Sequence, residues 1–222
     1  MNNDSQSVTQ QAGIDWKAVN AEQRVNLIRI FAIVGFYLVH FWHVATFSFG
    51  EDLAASGGGQ VEQTIANQLH FSLAILCFGW LMQAFAIHLM IAKRHVPDWL
   101  PTLVTAGDLV WLTLLLCLST GPGGPMVVGY FLIIMLSGIR FDLRLVRRTT
   151  VAAMMSYLVL LGVTRWPLGM LKQVSLQSVP PYHEIMILVA MVVAGFIIGQ
   201  IVRQSYLLGD AYGSSDQAGE IP

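Results

Sequence analysis

The chain opens on a polar stretch and then alternates long apolar runs with short polar or glycine-rich ones. Residues 1–23 are polar, and the expectation is a tail that closes in a short surface helix around Asp15–Gln23. Six apolar segments follow, at about Val25–Phe47, Asn67–Ala92, Leu100–Leu118, Met126–Ile139, Thr150–Thr164 and Tyr182–Val202. Each approaches the roughly 20 residues that carry a helix across about 30 Å of hydrocarbon. The fourth and fifth are shorter and suit a locally thinned region. Strands of a membrane barrel would alternate polar and apolar over about ten residues, whereas these runs are apolar throughout. The pattern predicts an all-α protein, a six-transmembrane-helix bundle over residues 24–203. Residues 204–222 are polar and rich in small side chains, and are expected to form a disordered tail.

Composition strengthens the membrane reading. Hydrophobic residues make up 55% of the 222 and charged residues 11%, with a mean hydropathy of +0.62. Soluble domains carry about 25% charged residues, so this chain lacks the charge to cover a globular surface in water. A net charge of −1 argues against nucleic acid as a partner, because phosphate binding needs a clustered basic face. Cys77 and Cys117 both lie in apolar runs and read as buried thiols with no metal-ligand spacing. The polar stretch ahead of the first apolar run is unlike a secretory signal.

The basic residues predict an orientation. Lys17, Arg24 and Arg29 flank the first segment, and Lys93 and Arg94 follow the second. Arg140, Arg144, Arg147 and Arg148 follow the fourth, and Arg203 ends the sixth. Ten of the twelve Lys and Arg residues thereby fall on one side, against Arg165 and Lys172 on the other. The positive-inside rule puts both termini in the cytoplasm.

Candidate chemistry is sparse. Nucleotide-binding, zinc-protease and serine-hydrolase motifs are absent, and no enzymatic activity is expected. His40 and His43 share one face near the outer end of the first segment, and His70 lies at similar depth in the second. Such a pair is compatible with b-type haem or with interfacial hydrogen bonding beside an aromatic belt. Asp108 sits inside the third segment, where a carboxylate costs roughly 2.5–3.5 kcal/mol on insertion scales and ordinarily finds a partner. Arg29, His88 and Arg140 lie toward the same half and are its candidate partners in an intramembrane charge cluster. Gly121, Gly123 and Gly124, interleaved with Pro122 and Pro125, form either a hairpin turn or a loop with free amides for a ligand. With His40, His43, His70 and Tyr130, these glycines make a candidate outer-leaflet ligand site. Gly195 and Gly199 form a GxxxG in the sixth segment, a candidate packing face.

Asp108, the loop from Gly121 to Met126 and the basic turn from Ser137 to Asp142 resemble the six-helix sensor region of redox-responsive, quinone-sensing bacterial histidine kinases and membrane-bound nucleotide cyclases. Gly124, Pro125 and Met126 stand where that family has Asn-Pro-Phe. The resemblance spans Arg24 to Arg203 and implies a module of the bacterial cytoplasmic membrane, with quinone as its ligand. Only nineteen residues follow Arg203, too few for a kinase or cyclase output. The expectation is therefore a non-catalytic accessory or lipophilic-ligand-binding subunit, in contact with lipid and with other membrane chains or a second copy. A haem-bearing electron carrier, a small transporter and a purely structural subunit are the rivals. The transporter is disfavoured by the lack of paired broken helices.

Overall fold

A computed structural model describes residues 20–39, 41–42, 60–93, 97, 99–119, 121–165 and 180–218. Its elements are helical. Helix α1 covers residues 20–39. It is followed by α2 (Gln60–Ala92), α3 (Leu100–Leu118), α4 (Val128–Ile139), α5 (Leu143–Arg165) and α6 (Pro181–Ala218). Four of these are long and apolar enough to cross a membrane: Phe71–Ala92 within α2, then α3, α5, and Pro181–Leu208 within α6. The stretch Pro125–Ile139, which ends in α4, is apolar but shorter. Their outward faces carry large apolar side chains, such as Phe71, Phe78 and Phe85 on α2 and Ile185, Val189 and Phe196 on α6. A surface of this kind suits lipid better than water.

The helices pack in sequence, α2 on α3, α3 on α4, α4 on α5 and α5 on α6, with further contacts of α3 to α5 and α4 to α6. Buried positions recur every three or four residues. On α3 they are Leu100, Val104, Thr105, Asp108, Leu109, Leu112, Leu115 and Leu116, one stripe of a 3.6-residue period. Leu109, Leu112 and Leu116 of this stripe meet Ile33, Trp80, Ala84, Tyr130, Ile134, Tyr157, Leu160 and Met191 in the main core, while Leu100 and Val104 pack with Ile87 and Ile91 and Leu115 with Leu73 and Cys77. Tyr130 and Tyr157 are fully buried and meet edge to face, with ring centroids 6.1 Å apart.

Apolar burial does little to hold helices together in lipid, so close approach at small residues matters more. Helices α2 and α3 interlock reciprocally. Trp111 of α3 covers Gly79, and Gln83 of α2 covers Gly107. The indole N–H of Trp111 donates to Gln83 Oε1 at 2.5 Å, closing the exchange. Gly138 of α4 lies directly under Ile198 of α6, and Gly195 of α6 under Thr150 of α5.

Several elements differ from the sequence expectation. Residues 20–23 are the first turn of α1, continuous with the apolar run, and not a separate surface helix; residues 15–19 lie outside the described residues. Helix α5 starts about two turns before Thr150, because Asp142 caps it by accepting the backbone N–H of Arg144 at 2.8 Å. Residues 204–218 continue α6 as helix where a disordered tail was expected. Extending an existing helix needs no new nucleus, and the Tyr206 hydroxyl ties this extension to the carbonyl of Phe141. Of the GxxxG glycines, Gly195 packs closely against Thr150, while a side chain at Gly199 would meet open space among the described residues.

A methyl group at Gly138 would collide with Ile198 Cγ2, a branch carbon with little room to move. Gly138→Ala should therefore lower the thermal midpoint of the purified protein in detergent. Gly199→Ala should leave it unchanged or raise it slightly, as helix propensity favours Ala by about 1 kcal/mol. Equal effects of the two variants would contradict this packing.

A buried charge network as the candidate functional site

Glu22, Asn26 and Arg29 fall four and three residues apart on α1, so they share one helix face. All three are buried, and each reaches a different helix. The Asn26 side-chain amide donates to the carbonyl of Ala84 on α2 at 3.1 Å. Arg29 Nε donates to Asp108 Oδ2 on α3 at 2.8 Å. Glu22 takes Arg140, at the end of α4, in a two-point ion pair. Arg140 Nη2 donates to Glu22 Oε2 at 2.8 Å. Arg140 Nε lies 2.6 Å from Glu22 Oε1, in charge contact without hydrogen-bond alignment.

Further bonds satisfy the charges. Arg29 Nη1 donates to Asn26 Oδ1 at 2.9 Å, orienting the amide that binds Ala84. The other oxygen of Asp108 accepts the Trp80 indole N–H at 2.9 Å. Arg140 Nη1 donates to Thr105 Oγ1 at 2.9 Å and reaches the Pro101 carbonyl at 3.4 Å. The network holds two carboxylates and two guanidiniums, and is neutral overall. Burying four ions costs several kcal/mol each unless they are paired and hydrogen-bonded, and here they are.

The placement of the other expected residues is uneven. His88 is exposed on α2 and stands outside the network. The buried face of that helix runs through Ala84, Ile87 and Ile91, and His88 is one residue, or about 100°, beyond it. His40, His43 and the side chain of His70 lie outside the described residues. Tyr130 is not a wall of an outer pocket. Its hydroxyl pairs with Thr113 at 2.9 Å inside the core. The glycine-proline corner is closed upon itself. Gly121 takes the left-handed conformation at φ 69°, which favours glycine. The amide of Gly124 donates to the Gly121 carbonyl and that of Val127 to the Gly124 carbonyl. Gly121 and Pro122 are buried and Gly123 is exposed. Two of the corner's amides are thereby used within its own turns.

Sequence reasoning missed Glu22, Asn26 and Trp80. The four-and-three spacing ahead of Arg29 was the available signal. It was obscured because Glu22 reads as part of a polar tail.

Two clefts flank α1. One lies between α1 and the α2–α3 pair, lined by Ile33, Phe36, Tyr37, Leu73, Cys77 and Trp80 among others. The second lies between α1 and α4, with Arg29 and Asp108 in its wall. Trp80 lines both.

No family model matches the chain, and neither a curated protein nor a solved structure does. The resemblance to sensor modules therefore rests on the sequence motifs alone.

Removing one partner of a buried pair leaves an uncompensated charge, at a cost of about 3–5 kcal/mol. Asp108→Asn and Arg29→Gln should each lower the thermal midpoint sharply, and the double variant should recover part of the loss. Strict additivity of the two would mean that the pair carries no coupling energy.

Proposed function

We propose that the chain is a non-catalytic, ligand-responsive membrane module that serves a larger assembly. In this reading it crosses the bacterial cytoplasmic membrane six times with both ends inside. The ligand is a small lipophilic molecule seated in the cleft between α1 and the α2–α3 pair. The carrying observation is the double engagement of Trp80, which lines that cleft while its indole N–H holds Asp108. Apolar walls with few polar handles suit lipophilic ligands. Free space in the cleft is about 10 Å³, room for one water-sized group. A larger occupant must therefore lift α1.

The build of α1 supports such a movement. Its charged contacts lie in its first three turns. Beyond Ile33 its side chains are exposed or half-buried, with Tyr37, Leu38 and Val39 exposed. The helix is anchored by ions at one end and exposes much of its side-chain surface at the other. A ligand under the exposed end would press on Trp80 and so bear on the Asp108–Arg29 pair. That contact gives cleft occupancy a differential effect on two arrangements of α1, as a ligand-driven shift requires.

A second reading is favoured by the charge balance of the network: it is an anchor only, and the chain is a structural subunit. Thermal stability in detergent separates the two. A short-chain ubiquinone analogue and a free fatty acid, tested separately, should raise the midpoint of the unmodified protein. Cys77→Phe, which fills the cleft, should abolish the rise. No shift with either probe, or the same shift in the filled variant, would leave the anchor reading standing.

Orientation is supported by the basic residues: Arg24, Lys93, Arg144, Arg147 and Arg148 lie near helix ends, and Arg203 lies on α6 one turn before Tyr206, which meets Phe141 in the α4–α5 turn. In a cysteine-free background, Gly123→Cys should react with an impermeant thiol reagent added outside intact cells, and Arg144→Cys should not. The reverse pattern would overturn the topology.

A further inference from the structure

The outward face of α5 carries more than a lipid-exposed helix needs. Its first two turns present Arg144, Arg147 and Arg148, all exposed. At about 100° per residue, these three fall within one arc of the helix. Val151, Met155, Leu158 and Val159 fall within the same arc and are also exposed. The opposite arc holds Leu145, Val146, Thr149, Ala153, Tyr157, Leu160 and Leu161, all buried. One helix face thus reads as a cationic head followed by an apolar track. From Arg148 to Leu158 the track runs roughly 15 Å at 1.5 Å per residue, about half of a 30 Å hydrocarbon core.

The three arginines have charge to spare. Ion pairs among the described residues use Arg29, Arg140 and Arg165, and none uses these three. The neighbouring carboxylate, Asp142, is engaged as the helix cap. Guanidinium groups bind phosphate oxygens in a two-point geometry.

We propose that this face of α5 is a binding site for an anionic phospholipid of the adjacent leaflet, its phosphate held by Arg144, Arg147 and Arg148 and its acyl chain lying along Val151, Met155, Leu158 and Val159. Charge complementarity and the matched length of the apolar track select a lipid over a soluble anion, which would use the head and ignore the track. The inference rests on the chain lying in a bilayer and is independent of any ligand beneath α1.

The full-length protein, reconstituted in nanodiscs of mixed phosphatidylglycerol and phosphatidylcholine, is released and its retained lipids are counted by native mass spectrometry. Phosphatidylglycerol should be enriched. The variant R144Q/R147Q/R148Q should lose that preference by about tenfold, given the attraction of each basic residue for an anionic surface. R24Q/K93Q/R203Q removes as much charge from other helices at the same end, and should keep the preference. Equal loss in both variants would mean a diffuse basic belt and overturn the site. Displacement by inorganic phosphate would assign the arginines to a soluble anion, with the same consequence. A second measurement leaves the arginines untouched. Leu158→Trp should gain fluorescence that is quenched more by phosphatidylglycerol brominated in its acyl chain than by brominated phosphatidylcholine. Equal quenching by the two would remove the lipid from the track.

Discussion

The Arg29–Asp108 pair fixes how α1 joins the rest of the bundle. Neither ion could remain in an apolar interior alone. Each therefore demands the other, and the helices that carry them are drawn together at one depth. Asn26 and Glu22 extend the demand to α2 and to the end of α4. Three helices are thereby registered against α1 by hydrogen-bond geometry. Apolar packing alone would leave such a helix free to slide, because lipid tails are as apolar as the side chains it would bury.

The remaining helices solve the same problem without ions. Between α2 and α3, bulky Trp111 and Gln83 each sit over a glycine of the opposite helix. Gly138 and Gly195 play that part where α6 meets α4 and α5. Away from the charged network, core polar groups are few and paired locally, as Tyr130 is with Thr113. The exceptions are the hydroxyls of Thr149 and Tyr157, buried without a hydrogen-bond partner among the described residues. Charge sets register at one end of the molecule, and shape sets spacing along its length.

Legibility in the sequence followed the kind of force involved. Helix α3 could be bounded from its apolar run alone, because Leu100 and Leu118 are flanked by turn-forming residues. Asp108 stood out because a carboxylate in such a run is costly. Its partners were harder to name. Arg29, His88 and Arg140 share a half of the bundle, but only the helix rotations decide which of them face inward. Helix α2 turns His88 out, while Trp80, which no charge marks, faces the carboxylate. The glycine-proline corner was ambiguous for a related reason. Composition gives the number of backbone donors in a loop, but not whether the loop consumes them in its own turns. Glycine pairs were equally ambiguous: Gly199 has the motif and no neighbour, whereas Gly138 has the neighbour and no motif.

Anchoring α1 through ions and not through interlocked side chains has a mechanical consequence. An apolar interface in lipid yields gradually, since one methyl contact replaces another at little cost. A hydrogen-bonded ion pair in low dielectric is directional and strong, so it holds until its geometry fails. The charged contacts occupy the first three turns of α1, and the exposed residues Tyr37, Leu38 and Val39 lie beyond them. Under the proposed function, a ligand beneath the far end would act on Trp80 and, through its N–H, on Asp108. Proteins that convert small displacements into two-state changes depend on elements with separate stable arrangements. In this chain the residues able to provide one are those that carry its buried charge.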